Sequence, residues 1–263
     1  MIGVIGCGNM GEALIKGLKS RFKAATLLVY DKDRRKLSRI KKIYAIKKIK
    51  SLSHLISLSK TIIIAVKPQD ISNVLEAIKQ GYSGQLIISI AAGIPTSFIE
   101  SRIAGRAAVV RAMPNLGAKV LMGLSGICKG RFATKSDLNK ALKIFNSVGV
   151  SVVLSEKYID ALTAVSGSMP GYVYYFLYCL VSSAVKLGFS KDKANFLVLN
   201  TIKGSIELIS KEDDFLDLVD KVASRGGTTQ AALDYFKQRK LKDLVDGAVK
   251  KAYMRAKNLQ VRS

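Results

Sequence analysis

Ile2-Gly3-Val4-Ile5-Gly6-Cys7-Gly8-Asn9-Met10-Gly11 is a short apolar run that ends in G-x-G-x-x-G. It opens an amphipathic segment, Glu12 to Leu18. Twenty residues after Gly11, the run Thr26-Leu27-Leu28-Val29-Tyr30 ends in Asp31. Strand, glycine loop, helix, strand and terminal acid in this order make up a βαβ dinucleotide site. Gly6 allows the tight turn, Gly8 lets backbone approach a pyrophosphate, and Gly11 lets helix and strand pack closely. The helix start, with Asn9 and Met10, then presents free N–H groups to the anion. Asp31 sits where an acid accepts from a ribose 2′-hydroxyl. Lys32, Arg34 and Arg35 follow at once and could instead bind a 2′-phosphate. The expected cofactor is therefore NADPH or NADH, with use of both.

Outward from this unit the pattern alternates. β-like runs fall at 2–6, 26–30, 61–66, 86–91 and 107–111, with two more near 123–128 and 148–154. Thr61-Ile62-Ile63-Ile64-Ala65-Val66 and Leu86-Ile87-Ile88-Ser89-Ile90 are nearly continuous apolar blocks, as strands covered on both faces of a parallel sheet are. Pro68 and Pro95 can open helices as first-turn prolines. After about Ser155 no β-rich run remains. Apolar stretches at helical spacing follow at 159–165, 172–187, 191–209, 215–222, 229–236 and 241–259, with breaks at Gly188, near Asp213 and at Gly226-Gly227. The fold class is α/β: an N-terminal Rossmann-type parallel sheet domain over 1–155, then an all-α C-terminal domain over 156–263.

Composition narrows the function. Against 19 acids stand 43 Lys and Arg, a net charge of +24. That could mark nucleic-acid binding or a solvated surface that draws anionic substrates. The densest basic block, Lys32 to Lys50, lacks the interleaved aromatics of a stacking platform, so a nucleic-acid partner is not expected. Cys7, Cys128 and Cys179 are scattered, which points to a reducing, cytoplasmic setting without disulfides or a zinc site. No leader is expected before the first strand. One histidine, His54, excludes a His-rich metal site, and no metal is expected; His54 reads as an ordinary position near a helix start. Ala161 to Val185 carries no charge. Its length would suit a membrane span, but Ser166-Gly167-Ser168, Pro170-Gly171 and four tyrosines favour a core or subunit-interface helix.

In open α/β folds ligands bind beyond the carboxyl ends of the strands. The relevant segments are Ala65-Val66-Lys67-Pro68-Gln69, Ser89-Ile90-Ala91-Ala92-Gly93 and Arg111-Ala112-Met113-Pro114-Asn115. Each reads equally as a tight strand-to-helix turn. In the helical part, Ser224-Arg225-Gly226-Gly227-Thr228-Thr229-Gln230 is a glycine pair leading into a helix. It reads either as a carboxylate-binding helix start or as a helix capped by Thr.

In this order and spacing the pieces resemble the pyrroline-5-carboxylate reductase family, from Met1 nearly to the C-terminus. The motifs similar to the family's are Gly6 to Gly11, Ala65 to Pro68, Ser89 to Gly93, Arg111 to Asn115 and Gly226 to Thr229. The resemblance implies NAD(P)H-dependent reduction of 1-pyrroline-5-carboxylate to L-proline, the last step of proline synthesis. It implies cofactor contacts at Gly6, Gly8, Asn9, Met10, Gly11, Asp31, Ala65, Lys67, Pro68, Ala91, Ala92 and Asn115. It places the substrate on Ser224, Gly226, Gly227, Thr228 and Thr229, with the carboxylate on the Gly227 and Thr228 N–H groups. Thr229 would act on the ring nitrogen, and a family glutamate falls on Glu212. A homodimer through the helical domain is implied, with larger assemblies open. Two departures stand out: Met169 where the family has glycine, and Arg225 where it has proline. Losing that proline loosens the turn. Two other readings are a β-hydroxyacid dehydrogenase and a non-catalytic nucleotide-binding protein with a basic nucleic-acid-binding surface. The first uses a Lys on a second-domain helix, and Ala161 to Val185 has none.

Overall fold

β1 (Ile2–Ile5) runs through the glycine turn into α1 (Asn9–Arg21), and β2 (Leu27–Tyr30) lies parallel beside β1 with Ile5 opposite Tyr30. In this computed structural model residues 1–21, 27–46, 49, 51–103, 105–210 and 213–259 are described. Thr26, Lys47, Lys48, Lys50 and Glu212, each used in the sequence reading, lie outside them. Asp33 caps α2 (Arg34–Tyr44), its side chain accepting from the N–H groups of Arg35 and Lys36. Ser51 caps α3 (Leu52–Leu58) through the His54 N–H, so His54 does sit in a helix's first turn.

The sheet then grows away from β2. β3 (Thr61–Ile64) pairs parallel with β1. Pro68 opens a 3-10 turn, Pro68–Asp70, that leads into α4 (Ile71–Gly81). β4 (Leu86–Ser89), α5 (Thr96–Ile103) and β5 (Val109–Pro114) follow, β4 pairing parallel with β3 and with β5. Pro95 lies just before α5, its carbonyl accepting from Ile99, so it stands at the cap and not in the first turn as expected.

The last two strands depart from the expected parallel sheet. β6 (Gly123–Lys129) runs antiparallel to β5. Only residues 115–122, with a 3-10 turn at Leu116–Val120, join the two. A parallel return needs a crossover of a dozen residues or more. α6 (Lys135–Phe145), closed at its start by a Thr134–Asp137 capping box, supplies such a crossover to β7 (Gly149–Val153), which is parallel to β6. The strand order is β2-β1-β3-β4-β5-β6-β7.

The strands alternate their side chains between two cores. Val4, Ile63, Ile88 and Val110 meet Leu14, Leu18, Ile40 and Phe145 on one face. Ile5, Ile62, Ile64 and Ile87 meet Leu75, Ile78, Phe98 and Ile99 on the other. This two-sided burial is why β3 and β4 carry unbroken apolar runs. Each such side chain stabilises the fold by about 1.5–3 kcal/mol on burial.

The rest is helical. α7 (Ile159–Leu162) runs into a π-turn, Thr163–Gly167, where the Ser168 N–H reaches the Thr163 carbonyl at 2.9 Å. Then come α8 (Met169–Lys186), α9 (Lys191–Glu207), α10 (Phe215–Val222), α11 (Thr228–Gln238) and α12 (Leu241–Asn258). The chain forms two compact units: Met1–Pro170 with Ala252–Ser263, and Gly171–Lys251. The second unit buries little of itself. None of α8, α10 and α11 has a buried residue. Tyr175 is 69% exposed, Phe215 68% and Leu216 74%. Of the two expectations for the uncharged stretch, a core helix does not hold for α8 within one chain. Among the described residues no helix is long and apolar enough to cross a membrane.

Candidate active site

The glycine loop turns as its sequence requires. Gly6 has φ +106°, and a Cβ there would lie 2.5 Å from the Ala65 carbonyl oxygen. Its N–H donates to the Tyr30 carbonyl at 2.8 Å. A Cβ on Gly11 would lie 2.0 Å from the Gly6 carbonyl oxygen, so the first turn of α1 rests directly on the loop. Gly8 is different: a Cβ there would meet nothing within 4 Å. Its bare backbone opens outward beside the start of α1, and its carbonyl accepts from Glu12 at 2.8 Å.

That opening belongs to a cleft of about 520 Å³ at the carboxyl ends of β1, β2 and β3. Gly6, Gly8, Asp31, Ala65 and Lys67, all expected from sequence, line it together. Lys32, Lys36, Gln69, Asp70 and Asn73 add polar groups, and Ile5, Val66 and Val74 add apolar wall. A dinucleotide fits this donor set: free N–H groups at a helix start, a bare glycine and three lysines suit phosphates. Asn9, Met10 and Gly11 form the first turn of α1 behind the loop, and Pro68 begins the turn beside Lys67.

Asp31 is engaged locally. Its Oδ2 accepts the Cys7 N–H at 2.6 Å and its Oδ1 the Asp33 N–H at 2.7 Å. Lys32 Nζ bonds Asp70 Oδ1 at 2.5 Å, and that carboxylate holds the ammonium above its usual range. Arg39 makes a two-pronged pair with Glu12, tying α2 to α1. Burial, and next the Asp31 carboxylate, push the Cys7 thiol up to about 12. Arg34 and Arg35 are not in the cleft lining. Lys36 is, one helical turn on from the Asp33 cap, a position that could have been read from the helix period.

Ala91, Ala92 and Asn115 lie apart from this lining. Ala91 is buried, its N–H donating to Ser89 Oγ. Asn115 Oδ1 accepts from Gly117 and Leu124, and its amide donates to Ser166 Oγ at 3.1 Å, fixing the end of β5 to the π-turn. A Cβ on Gly167 would come within 3.0 Å of Met113. Arg111, 2% exposed, reaches Glu156 at 3.3 Å and Asp160 at 3.5 Å. Glu156 also accepts the N–H and hydroxyl of Thr96 at the start of α5. Arg111 therefore braces β5, α5 and α7. The sequence reading missed this network because its partners are 45 and 49 residues away.

The second cluster lies in the helical unit. Gly226 takes φ +72°, and Gly227 caps α11 without any side-chain cap bond. Thr228 and Thr229 are the first two helical residues, so the Thr-capped reading does not hold. The Gly227 N–H donates to the Ser224 carbonyl at 2.9 Å, which corrects its expected use for a ligand carboxylate. The N–H groups of Thr228, Thr229 and Gln230 find no acceptor among the described residues. The turn Ser224 to Gly227 thus leads into an open helix N-terminus whose first residues are Thr228 and Thr229. Glu212 lies outside the described residues.

Residues 156–259 match the family described as pyrroline-5-carboxylate reductase dimerisation, and residues 1–93 the family described as NADP oxidoreductase, coenzyme F420-dependent. The pyrroline-5-carboxylate reductase of Pseudomonas aeruginosa is 33% identical over 262 residues, covering 98% of this chain and 96% of that protein. The chain belongs to the pyrroline-5-carboxylate reductase family. Solved structures agree over their whole length. The pyrroline-5-carboxylate reductase of Coxiella burnetii superposes with a TM-score of 0.91 at 29% identity, covering 99% of this chain and 98% of that one. The Plasmodium falciparum pyrroline carboxylate reductase with NADP bound gives 0.89 at 32%, with the same coverage.

Proposed function

We propose that this chain reduces 1-pyrroline-5-carboxylate to L-proline with NADPH or NADH, in the cytoplasm, as the last step of proline synthesis. Family membership over the full length supports the reaction. The single observation that carries the cofactor part is the bare Gly8 backbone opening onto the cleft beside the α1 N-terminus. In the proposal Gly6, Gly8 and Gly11 shape the pyrophosphate seat, with Asn9 and Met10 at the helix start. Ala65, Lys67, Pro68, Ala91, Ala92 and Asn115 complete the cofactor side.

The nicotinamide supplies a hydride to the C=N carbon. The protonated ring nitrogen of the imine keeps its proton, and the product is the amine of proline. The side chains therefore need not move a proton in that step; they position and exclude water. Thr229 orients the ring nitrogen, with Glu212 as the second candidate catalytic residue. The free N–H groups of Thr228 and Thr229 hold the substrate carboxylate, aided by the helix dipole. Ser224, Gly226 and Gly227 set the turn that exposes them. The boundary between the cofactor-binding and helical substrate-binding domains is placed at 155/156. A homodimer formed through the helical domain covers the apolar face of α8, α10 and α11.

Oxidation of NADPH and NADH followed at 340 nm with 1-pyrroline-5-carboxylate, with proline quantified as product, tests the reaction. Reduction of NADP+ or NAD+ by a β-hydroxyacid instead, or no cofactor oxidation with any imine, would overturn it.

A further inference from the structure

The acid at the end of β2 is committed to the backbone. Asp31 Oδ2 holds Cys7 inside the glycine loop, and Oδ1 holds Asp33 at the cap of α2. The carboxylate thus ties the loop to the β2–α2 corner. The cations around it are placed differently. Lys32 reaches across the cleft to Asp70. Lys36 Nζ stands 3.9 Å from Asp33 Oδ2, at the limit of ion pairing, with its side chain half exposed. α2 has no acid in its first turn, only Arg34, Arg35 and Lys36. The Asp33 carboxylate at the cap, accepting the Arg35 and Lys36 N–H groups, sets one negative charge against these three cations, and a bound anion would balance them further.

We propose that Lys36, together with Lys32 exchanged from Asp70, forms the subsite for the 2′-phosphate of NADPH, while Asp31 clamps the glycine loop and does not choose between the two cofactors. This rests on the dinucleotide reading above and goes further, because it sets a preference for NADPH. Both cleft carboxylates already have partners: Asp31 two N–H groups, Asp70 the Lys32 ammonium. A phosphate entering beside Lys36 replaces Asp70 as the acceptor for Lys32. A dianionic phosphate with three acceptor oxygens is the stronger partner for two ammonium groups. Asp70 is therefore a competitor, and its removal strengthens the phosphate site.

The test is equilibrium binding to the full chain by calorimetry, with 2′,5′-ADP and 5′-ADP as probes and NADPH and NADH in parallel. Wild type should bind 2′,5′-ADP about 10-fold or more tightly than 5′-ADP, the scale of one charge-assisted contact. Lys36→Ala should lower 2′,5′-ADP affinity by about 10-fold and leave 5′-ADP within about 2-fold. Asp70→Asn should raise 2′,5′-ADP affinity. Asp31→Ala should weaken NADPH and NADH by the same factor. Equal binding of the two probes by wild type, loss of both with Lys36→Ala, or a changed NADPH-to-NADH ratio with Asp31→Ala overturns the subsite alone. Failure of wild type to bind either dinucleotide overturns the cofactor reading, and the subsite with it.

Discussion

Two glycines of one motif should fail in opposite ways. At Gly8 a side chain meets no protein atom within 4 Å, so Gly8→Val builds into the cleft and not into the fold. Its cost to stability is that of a poor helix cap, about 1 kcal/mol, because Gly8 provides the carbonyl for Glu12. For a chain of this size that lowers Tm by roughly 2–4 °C. The branched side chain occupies the space the pyrophosphate needs, and cofactor affinity should fall at least ~10-fold, or ~1.4 kcal/mol. Gly11→Ala is the reverse case. Its Cβ would sit 2.0 Å from the Gly6 carbonyl oxygen, and Gly6 is held at φ +106° by its own bond to Tyr30. Ala gains about 1 kcal/mol of helix propensity over Gly. A backbone clash that neither side can relieve exceeds the ordinary overpacking cost of about 1–3 kcal/mol. The net loss is of order 2 kcal/mol, a Tm drop of roughly 4–8 °C. Thermal melts and fluorescence titration with NADPH on both variants give the four numbers. Unchanged affinity in Gly8→Val, or a raised Tm in Gly11→Ala, would refute this account of the loop.

Thr229→Ala should leave cofactor affinity intact and lower turnover by ~10²-fold, the scale of one positioned polar group. Thr228→Ala should lose less, since its N–H survives; turnover at saturating NADPH ranks the two, and a larger loss at Thr228 reverses the assignment. Light scattering at micromolar concentration should give the mass of a dimer or a multiple of it, and a monomer would leave the apolar helices unexplained. Burial pushes the Cys7 and Cys128 thiols up to about 12. Both should resist a thiol reagent at pH 8 by ~10³-fold relative to an ordinary cysteine. The same shift has a sign in stability. Above pH ~9 the unfolded chain releases protons that the fold retains, so these two sites destabilise the protein as pH rises from about 9 toward 12. Denaturant midpoints at pH 8 and 10 check it, and a rise between them would contradict it.

What the sequence disclosed follows from how far its signals reach. β1, α1 and β2 are visible in one glance because the glycine loop and Asp31 lie within a single βαβ unit. The burial of β3 and β4 on two faces is written in Ile62-Ile63-Ile64 and Ile87-Ile88. The direction of β6 was not read, although the short link at 115–122 carried it. Helices after Ser155 show their periods, but the π-turn at Thr163–Gly167 does not, since one extra residue per turn leaves no compositional mark. Contacts at long separation were opaque: Arg111 with Glu156 and Asp160, and Asn115 with Ser166. Local hydrogen bonds also escaped notice. Nothing in Asp31's position announces that it binds Cys7 and Asp33, and nothing in Gly227 says that its N–H turns back to Ser224.

The first compact unit takes in the chain from Ala252 as well as Met1–Pro170, with Ala256 of α12 buried. In a growing chain these residues are made only after the whole second unit. The sheet ends at Val153, so its final strand leaves the ribosome roughly 100 residues before α12 can join. At about 5–20 residues per second that interval is about 5–20 s. Through that time the nascent sheet unit is incomplete and the apolar helices of the second unit emerge without cover. Synthesis thus exposes both surfaces together, and arrival of the segment from Ala252 ends the exposure of the first.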